Sequence, residues 1–230
     1  MLDITPTEWT AILLSLRVAT VATIVATPLG IALALLLARG NFWGKSFVDA
    51  AVHLPLVLPP VVTGYLLLLA FGRRGFIGAW LAEFGIVFAF RWTGAALACG
   101  VMAFPLLVRP IRLSIEAVDR RLEQAAETLG APPWRVFLNV TLPLSLPGVL
   151  AGMVLGFAKA IGEFGATITF VSNIPGETQT ISSAIYSLIQ TPDGDTAALR
   201  LVVVSIVIAV AALIGAEWFS RRATRRLHGN

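Results

Sequence analysis

The stretch Glu116-Ala-Val-Asp-Arg-Arg-Leu-Glu-Gln-Ala-Ala-Glu-Thr-Leu-Gly-Ala-Pro-Pro-Trp-Arg-Val-Phe-Leu-Asn-Val-Thr-Leu-Pro143 decides how the rest of the chain is read. It is a charged interruption in an otherwise oily sequence. Asp119 suits a helix N-cap and Gly130 a left-handed C-terminal turn, so a short helix is expected over 119–129, with Glu123 and Glu127 flanking a face of small residues. Pro132 and Pro133 open a second short helix, on which Trp134, Phe137 and Val140 share the apolar side. Such an aromatic face outside a membrane rests on lipid headgroups or fills a groove in a partner. Ala125, Ala126 and Gly130 favour the partner, because they permit a close backbone approach that lipid does not require.

Composition supplies the setting. Of 230 residues 57% are hydrophobic and 13% charged, and mean hydropathy is +0.84, which leaves too little polar surface to cover a water-soluble globule. The net charge of +4 does not indicate nucleic acid, since the arginines lie between and after apolar runs instead of along one polar face. Cys99 is the single cysteine and sits in an apolar run, so no intrachain disulfide can form. The N-terminus carries Asp3 and Glu8 and no basic leader, and its first apolar run is expected to remain as a span.

Crossing about 30 Å of hydrocarbon takes roughly 20 residues. The runs 9–37, 50–71, 92–108, 143–171 and 197–219 meet or approach that length; Pro28 interrupts the first, and Pro55, Pro59 and Pro60 are expected to bend or unwind the second. The segments 76–90 and 181–189 are too short or too polar and read as re-entrant or interfacial helices. With five crossings and the N-terminus outside, the inner segments hold eleven Lys and Arg residues against four outside, as the positive-inside rule requires. Counting 76–90 as a span would put the basic loop and the basic tail at 221–230 outside. The expected fold is therefore an all-α integral membrane protein with about five transmembrane helices, N-out and C-in, plus short cytoplasmic helices.

Inside the fourth run, Lys159 and Glu163 are four residues apart and each costs about 2.5 to 3.5 kcal/mol to insert alone. They either neutralise each other at a helix interface or line a pore, with Thr167, Thr169 and Ser172 continuing a polar stripe. Arg17 either enters that pore or snorkels toward the outer headgroups.

The spacing Gln124-Ala125-Ala126, three residues, Gly130, nine residues, Val140-Thr141-Leu142-Pro143 resembles the cytoplasmic loop by which ABC importer permeases grip their ATPase. The segments His53-Leu-Pro-Leu-Val-Leu-Pro-Pro-Val-Val, Gly72-Arg-Arg-Gly-Phe-Ile-Gly and Gly162-Glu-Phe-Gly-Ala-Thr-Ile-Thr-Phe-Val-Ser-Asn-Ile-Pro-Gly-Glu-Thr are similar to those of bacterial molybdate permeases. The resemblance implies a type I importer permease domain over 10–220, with a coupling loop at 116–143 and a multi-pass location in the bacterial inner membrane. It also implies the partners: a second copy of the chain, two ATPase subunits that bind the ATP and magnesium, and a periplasmic protein delivering molybdate or tungstate. This chain would then need no cofactor and catalyse nothing itself. Coupling would fall to Glu123, Gln124, Ala125, Ala126, Gly130, Trp134, Phe137, Leu142 and Pro143. Where the motif has glutamate this chain has Gln124, so a salt bridge expected there is either missing or shifted to Glu123. Sulfate and thiosulfate permeases share much of the pattern.

Other motifs lead nowhere. Gly40-Asn-Phe-Trp-Gly-Lys-Ser46 is one residue short of a P-loop and follows an apolar helix, not a strand. His53 and His228 stand far apart with no ligand cluster, and no nucleophile lies in a catalytic context. An ATP-independent anion channel gives no reason for the docking loop, and an intramembrane enzyme would rest on Glu163 alone.

Overall fold

The computed structural model describes residues 4–228, with side chains at all of these except 213 and 216–228; the basic tail expected over 221–230 lies outside the described side chains. Among the described residues the chain is all-α: α1 (Pro6–Arg39), α2 (Lys45–Val57), α3 (Pro60–Phe71), α4 (Phe76–Glu83), α5 (Trp92–Glu116), α6 (Arg120–Thr128), α7 (Pro133–Val136), a π-helical turn (Phe137–Thr141), α8 (Leu142–Ile161), α9 (Gly165–Val171), α10 (Ile181–Leu188) and α11 (Asp195–His228).

Helix pairing fixes the number of crossings. Ala22 lies beside Gly100 and Gly30 beside Val108, so α1 and α5 run parallel. Their C-terminal ends also meet, where Arg39 Nη2 donates to the Val118 carbonyl at 3.1 Å. Two parallel spans need a return crossing between them, and only α2, α3 and α4 can supply it. Helix α8 returns antiparallel to α5: Gly148 sits against Pro110 and Ser114, Gly152 against Leu107, and the Ala160 carbonyl accepts from Cys99 Sγ at 3.5 Å. At the other end of the bundle Arg200 Nη2 donates to Glu8 Oε1 at 2.7 Å, so α11 starts beside the start of α1 and runs back. With the broken α2–α3 pair counted as one crossing, the described residues hold five. Helices α4 and α10, of eight residues each, span only about 12 Å and cross nothing.

The return crossing is broken where the sequence predicts a bend. Pro59 and Pro60 each bar the preceding residue from helical geometry, and Leu58 and Pro59 are accordingly extended, with ψ of 143° and 135°. The helix axis turns through 115° between α2 and α3. Pro28, by contrast, leaves α1 unbroken, and Pro55, expected to share in the bend, lies inside α2 without ending it.

Three expectations are corrected. The run 143–171 is not one span: it ends at Ile161 and restarts at Gly165, because Gly162 stops the helix and Glu163 folds back to receive the Ala166 N–H. The third span continues past residue 108 to Glu116 through Pro105 and Pro110. The second loop helix is not separate but runs from Pro133 through the π-helical turn into α8. Pro143 has no N–H for Asn139, and the widened turn just before it accommodates that loss.

Small residues set the packing. Gly148, Gly152, Gly156 and Ala160 recur every fourth residue on the face of α8 that meets α5, the small-residue spacing that lets membrane helices touch backbone to backbone. Helices α3 and α9 meet in the same way: a Cβ on Gly64 would stand 2.5 Å from the Ala166 carbonyl oxygen and 2.9 Å from its Cα. Gly64→Ala is therefore expected to force the two half-helices apart and destabilise the protein by about 1 to 3 kcal/mol. Thermal unfolding of the purified variant in detergent measures this; an unchanged midpoint would mean that α3 shifts freely.

Candidate functional site

The loop between α5 and α8 is folded by local rules. Asp119 caps α6 by accepting from the Arg121 N–H at 2.9 Å, and Gly130 closes it with φ of +83°, a left-handed turn. Along α6 the polar spacing sorts the residues by side. Glu123 and Ala126 turn inward, while Leu122, Gln124, Ala125 and Leu129 are exposed. Trp134 is exposed on the next turn, with Phe137, Leu142 and Pro143 half-buried beneath it. An apolar rim of Leu122, Leu129 and Trp134 thus surrounds the small face of Ala125 and Gly130. Leu129 is 89% exposed and was not singled out by the sequence, where a leucine before a helix-ending glycine reads as packing.

The loop is clasped to the spans at one point. Glu123 Oε1 accepts from Arg39 Nη2 at 3.0 Å and from Thr141 Oγ1 at 2.7 Å. The same Arg39 nitrogen also caps the end of α5 at Val118. One guanidinium therefore joins the ends of α1 and α5 to α6, and Thr141 extends the joint to the foot of α8. Glu123 makes an ion pair within the chain, while its neighbour Gln124 points outward. Neither Arg39 nor Thr141 carries a sequence signal for this; an arginine at the end of a span reads only as an interfacial anchor.

A second concentration of polar groups lies where α8 breaks. Lys159 Nζ donates to Glu163 Oε2 at 2.7 Å, and Glu163 Oε1 accepts the Ala166 N–H at 3.0 Å, so both carboxylate oxygens are engaged in a fully buried side chain. Lys159 is half-buried and keeps one side open. Thr167 and Thr169 donate their hydroxyl protons to the carbonyls of Phe164 and Gly165, both at 2.8 Å. Thr167 is buried, so only the Thr169 hydroxyl is open to a neighbour, and it offers lone pairs, since its proton is engaged. Ser172 ends α9 with φ of 66° and ψ of −161°, a conformation that side chains rarely adopt. The α3 break rests on the same place, since Pro60 Cβ lies 2.7 Å from where a Cβ on Gly165 would be. The two breaks thus meet at Pro60 and Gly165, two residues beyond Glu163.

Comparison with known proteins bears on both places. Residues 26–225 match a family described as binding-protein-dependent transport system inner membrane component. The chain is 59% identical over 224 residues to the molybdenum transport system permease protein ModB of Escherichia coli (strain K12), covering 97% of this chain and 98% of the relative. It is 59% identical over 221 residues to the protein of the same name from Haemophilus influenzae, covering 96% of each. Among solved structures it superposes on a bacterial ABC transporter involved in import of the acidic polysaccharide alginate, with a TM-score of 0.75 at 20% identity, over 95% of this chain and 80% of the other. That likeness carries the fold.

Proposed function

The chain belongs to the family of binding-protein-dependent transport system inner membrane components, and from that membership we propose that it is the pore-forming permease subunit of an ATP-driven molybdate importer. The observation that carries the cargo is the identity to the ModB proteins along almost the whole chain. The transport domain runs over 10–220 and works as a pair of copies. The α1 N-terminus faces the periplasm, where a binding protein delivers the oxyanion, and the 116–143 loop faces the cytoplasm, as the eleven-to-four distribution of basic residues supports. Each copy presents its loop to one ATPase subunit, which binds the ATP and magnesium. Lys159, the open cation paired with Glu163 at the α8 break, supplies the positive field on the pathway; Glu163, buried and doubly bonded, holds Lys159 in place and does not meet the anion.

Uptake of labelled molybdate by cells lacking their own permease tests the cargo. Restored uptake that excess sulfate does not suppress is the expected result, and suppression by sulfate would move the assignment to the sulfate permeases. Uptake that persists without any ATPase subunit would indicate a channel. Docking is tested separately: Gly130→Trp, Ala125→Arg and Leu129→Asp are each expected to abolish copurification of the ATPase at normal membrane abundance. Undiminished recovery with all three would remove the loop from the interface.

A further inference from the structure

A groove of about 720 Å³ runs between α1, α2 and α5, lined almost wholly by apolar side chains and open along one side. It lies away from the α3–α9 contact and from the coupling loop. Its volume falls in the range of ligand sites, roughly 300 to 1,000 Å³. On α5 it extends from Trp92 to Phe104, twelve residues or about 18 Å, slightly more than one leaflet of a hydrocarbon layer about 30 Å thick.

The mouth of the groove carries a cation. Arg17 stands one helical turn above Val21, a lining residue, and its guanidinium carbon lies 3.7 Å from the centre of the Trp92 ring. Arg17 is exposed, and among the described residues it has no carboxylate partner. Stacking uses the face of a guanidinium and leaves the N–H donors around its edge free for an oxyanion such as phosphate. Depth agrees with that chemistry. Arg17 precedes Arg39 by 22 residues, about 33 Å along α1, so the two arginines bracket one hydrocarbon thickness and Arg17 sits at headgroup level. A cation at headgroup level above an apolar groove one leaflet deep has the chemistry of a single amphiphile.

We propose that this groove holds an acyl chain of one phospholipid, whose phosphate is bound by Arg17 over the Trp92 ring. The headgroup end of the site lies toward the α1 N-terminus, its apolar end reaches Phe47 and Val48 at the start of α2, and it is independent of the cargo. The small residues Ala22 and Gly100 give the groove its depth, and a larger side chain at either would take the place of the acyl chain.

Gly100 provides the test, because a Cβ there meets nothing closer than Ala22 Cβ and the Ala22 carbonyl oxygen at 3.9 Å and the helix accepts it. Native mass spectrometry of the purified permease, titrated with phosphatidylglycerol and in parallel with diacylglycerol, reads occupancy per chain. The wild type is expected to retain one phosphatidylglycerol more tightly than any further copies. Gly100→Leu and, from the opposite wall, Val25→Trp should each weaken that first binding at least tenfold, at an unchanged unfolding temperature in lipid-free detergent. Arg17→Gln should weaken phosphatidylglycerol but leave diacylglycerol unaffected. Equal first-site binding in the wild type and both filled-groove variants would overturn the proposal. So would efficient cross-linking of two copies through Val25→Cys in membranes, since the groove would then be covered by a second chain.

Discussion

Replacing Arg39 with alanine is expected to reduce uptake at least tenfold while the assembled complex continues to hydrolyse ATP. The guanidinium and the Glu123 carboxylate are each less than a fifth exposed, and Glu123 keeps only the Thr141 hydroxyl once Arg39 is gone. Hydrogen bonds to charged groups contribute about 1.5 to 3 kcal/mol, enough for a tenfold to hundredfold change in an equilibrium between clasped and released loop. A released α6 still presents Leu129 and Trp134 to a partner, so docking survives. What is lost is the rigid connection through which a displacement of the loop moves α1, α5 and α8 together. Thr141→Val, which removes a neutral donor, should cost less. Arg39→Glu combined with Glu123→Arg should recover part of the uptake, which a purely local folding defect would not do. The ratio of molybdate transported to ATP hydrolysed is the measurement, and a wild-type ratio in Arg39→Ala would end the argument.

The pair at the α8 break should respond asymmetrically. Lys159→Met leaves the buried Glu163 carboxylate with one backbone N–H as its only donor, and breaking a buried ion pair from one side costs about 3 to 5 kcal/mol. Glu163→Gln retains an oxygen for Ala166 and leaves behind a lysine whose open side can reach water. The lysine change should therefore lower folded abundance severalfold, the glutamate change much less, and the double variant should recover most of it. Uptake then separates the two roles. If Lys159 only balances Glu163, the double variant transports normally; if it attracts the anion, that variant folds and transports poorly. Full abundance of Lys159→Met alone would show that Glu163 does not depend on it.

The parts of this fold that were legible in the sequence are those governed by local chemistry. Apolar length found the crossings but misplaced the ends of the third and fourth, consecutive prolines located the α2–α3 break, and Asp119 and Gly130 bounded α6 to within a residue. The four-residue spacing of Lys159 and Glu163 offered their pairing as one of two readings, and the structure shows the contact. What escaped notice depends on contacts distant in sequence or on glycines read one at a time. Arg39 and Glu123 are 84 residues apart, and nothing near Arg39 distinguishes it from any other basic anchor. The break at Gly162 is set by Glu163 capping Ala166, which competes with a helix that composition alone would continue. The glycine stripe of α8 was present in the sequence, at spacings that identify a packing face once the partner helix is known.

The contact between Glu8 and Arg200 joins residues 192 positions apart, the first span to the last. During synthesis at about 5 to 20 residues per second, Glu8 therefore waits roughly 10 to 40 s for its partner, in a nascent bundle whose other spans already lie in the bilayer. A chain released before α11 leaves Glu8, at the start of α1, with the Thr5 N–H but without its arginine, and leaves open the faces of α8 and α10 that α11 would cover. The closure of the first span against the last is therefore among the latest long-range contacts the chain can make, and it forms only when nearly all of the bundle has been synthesised.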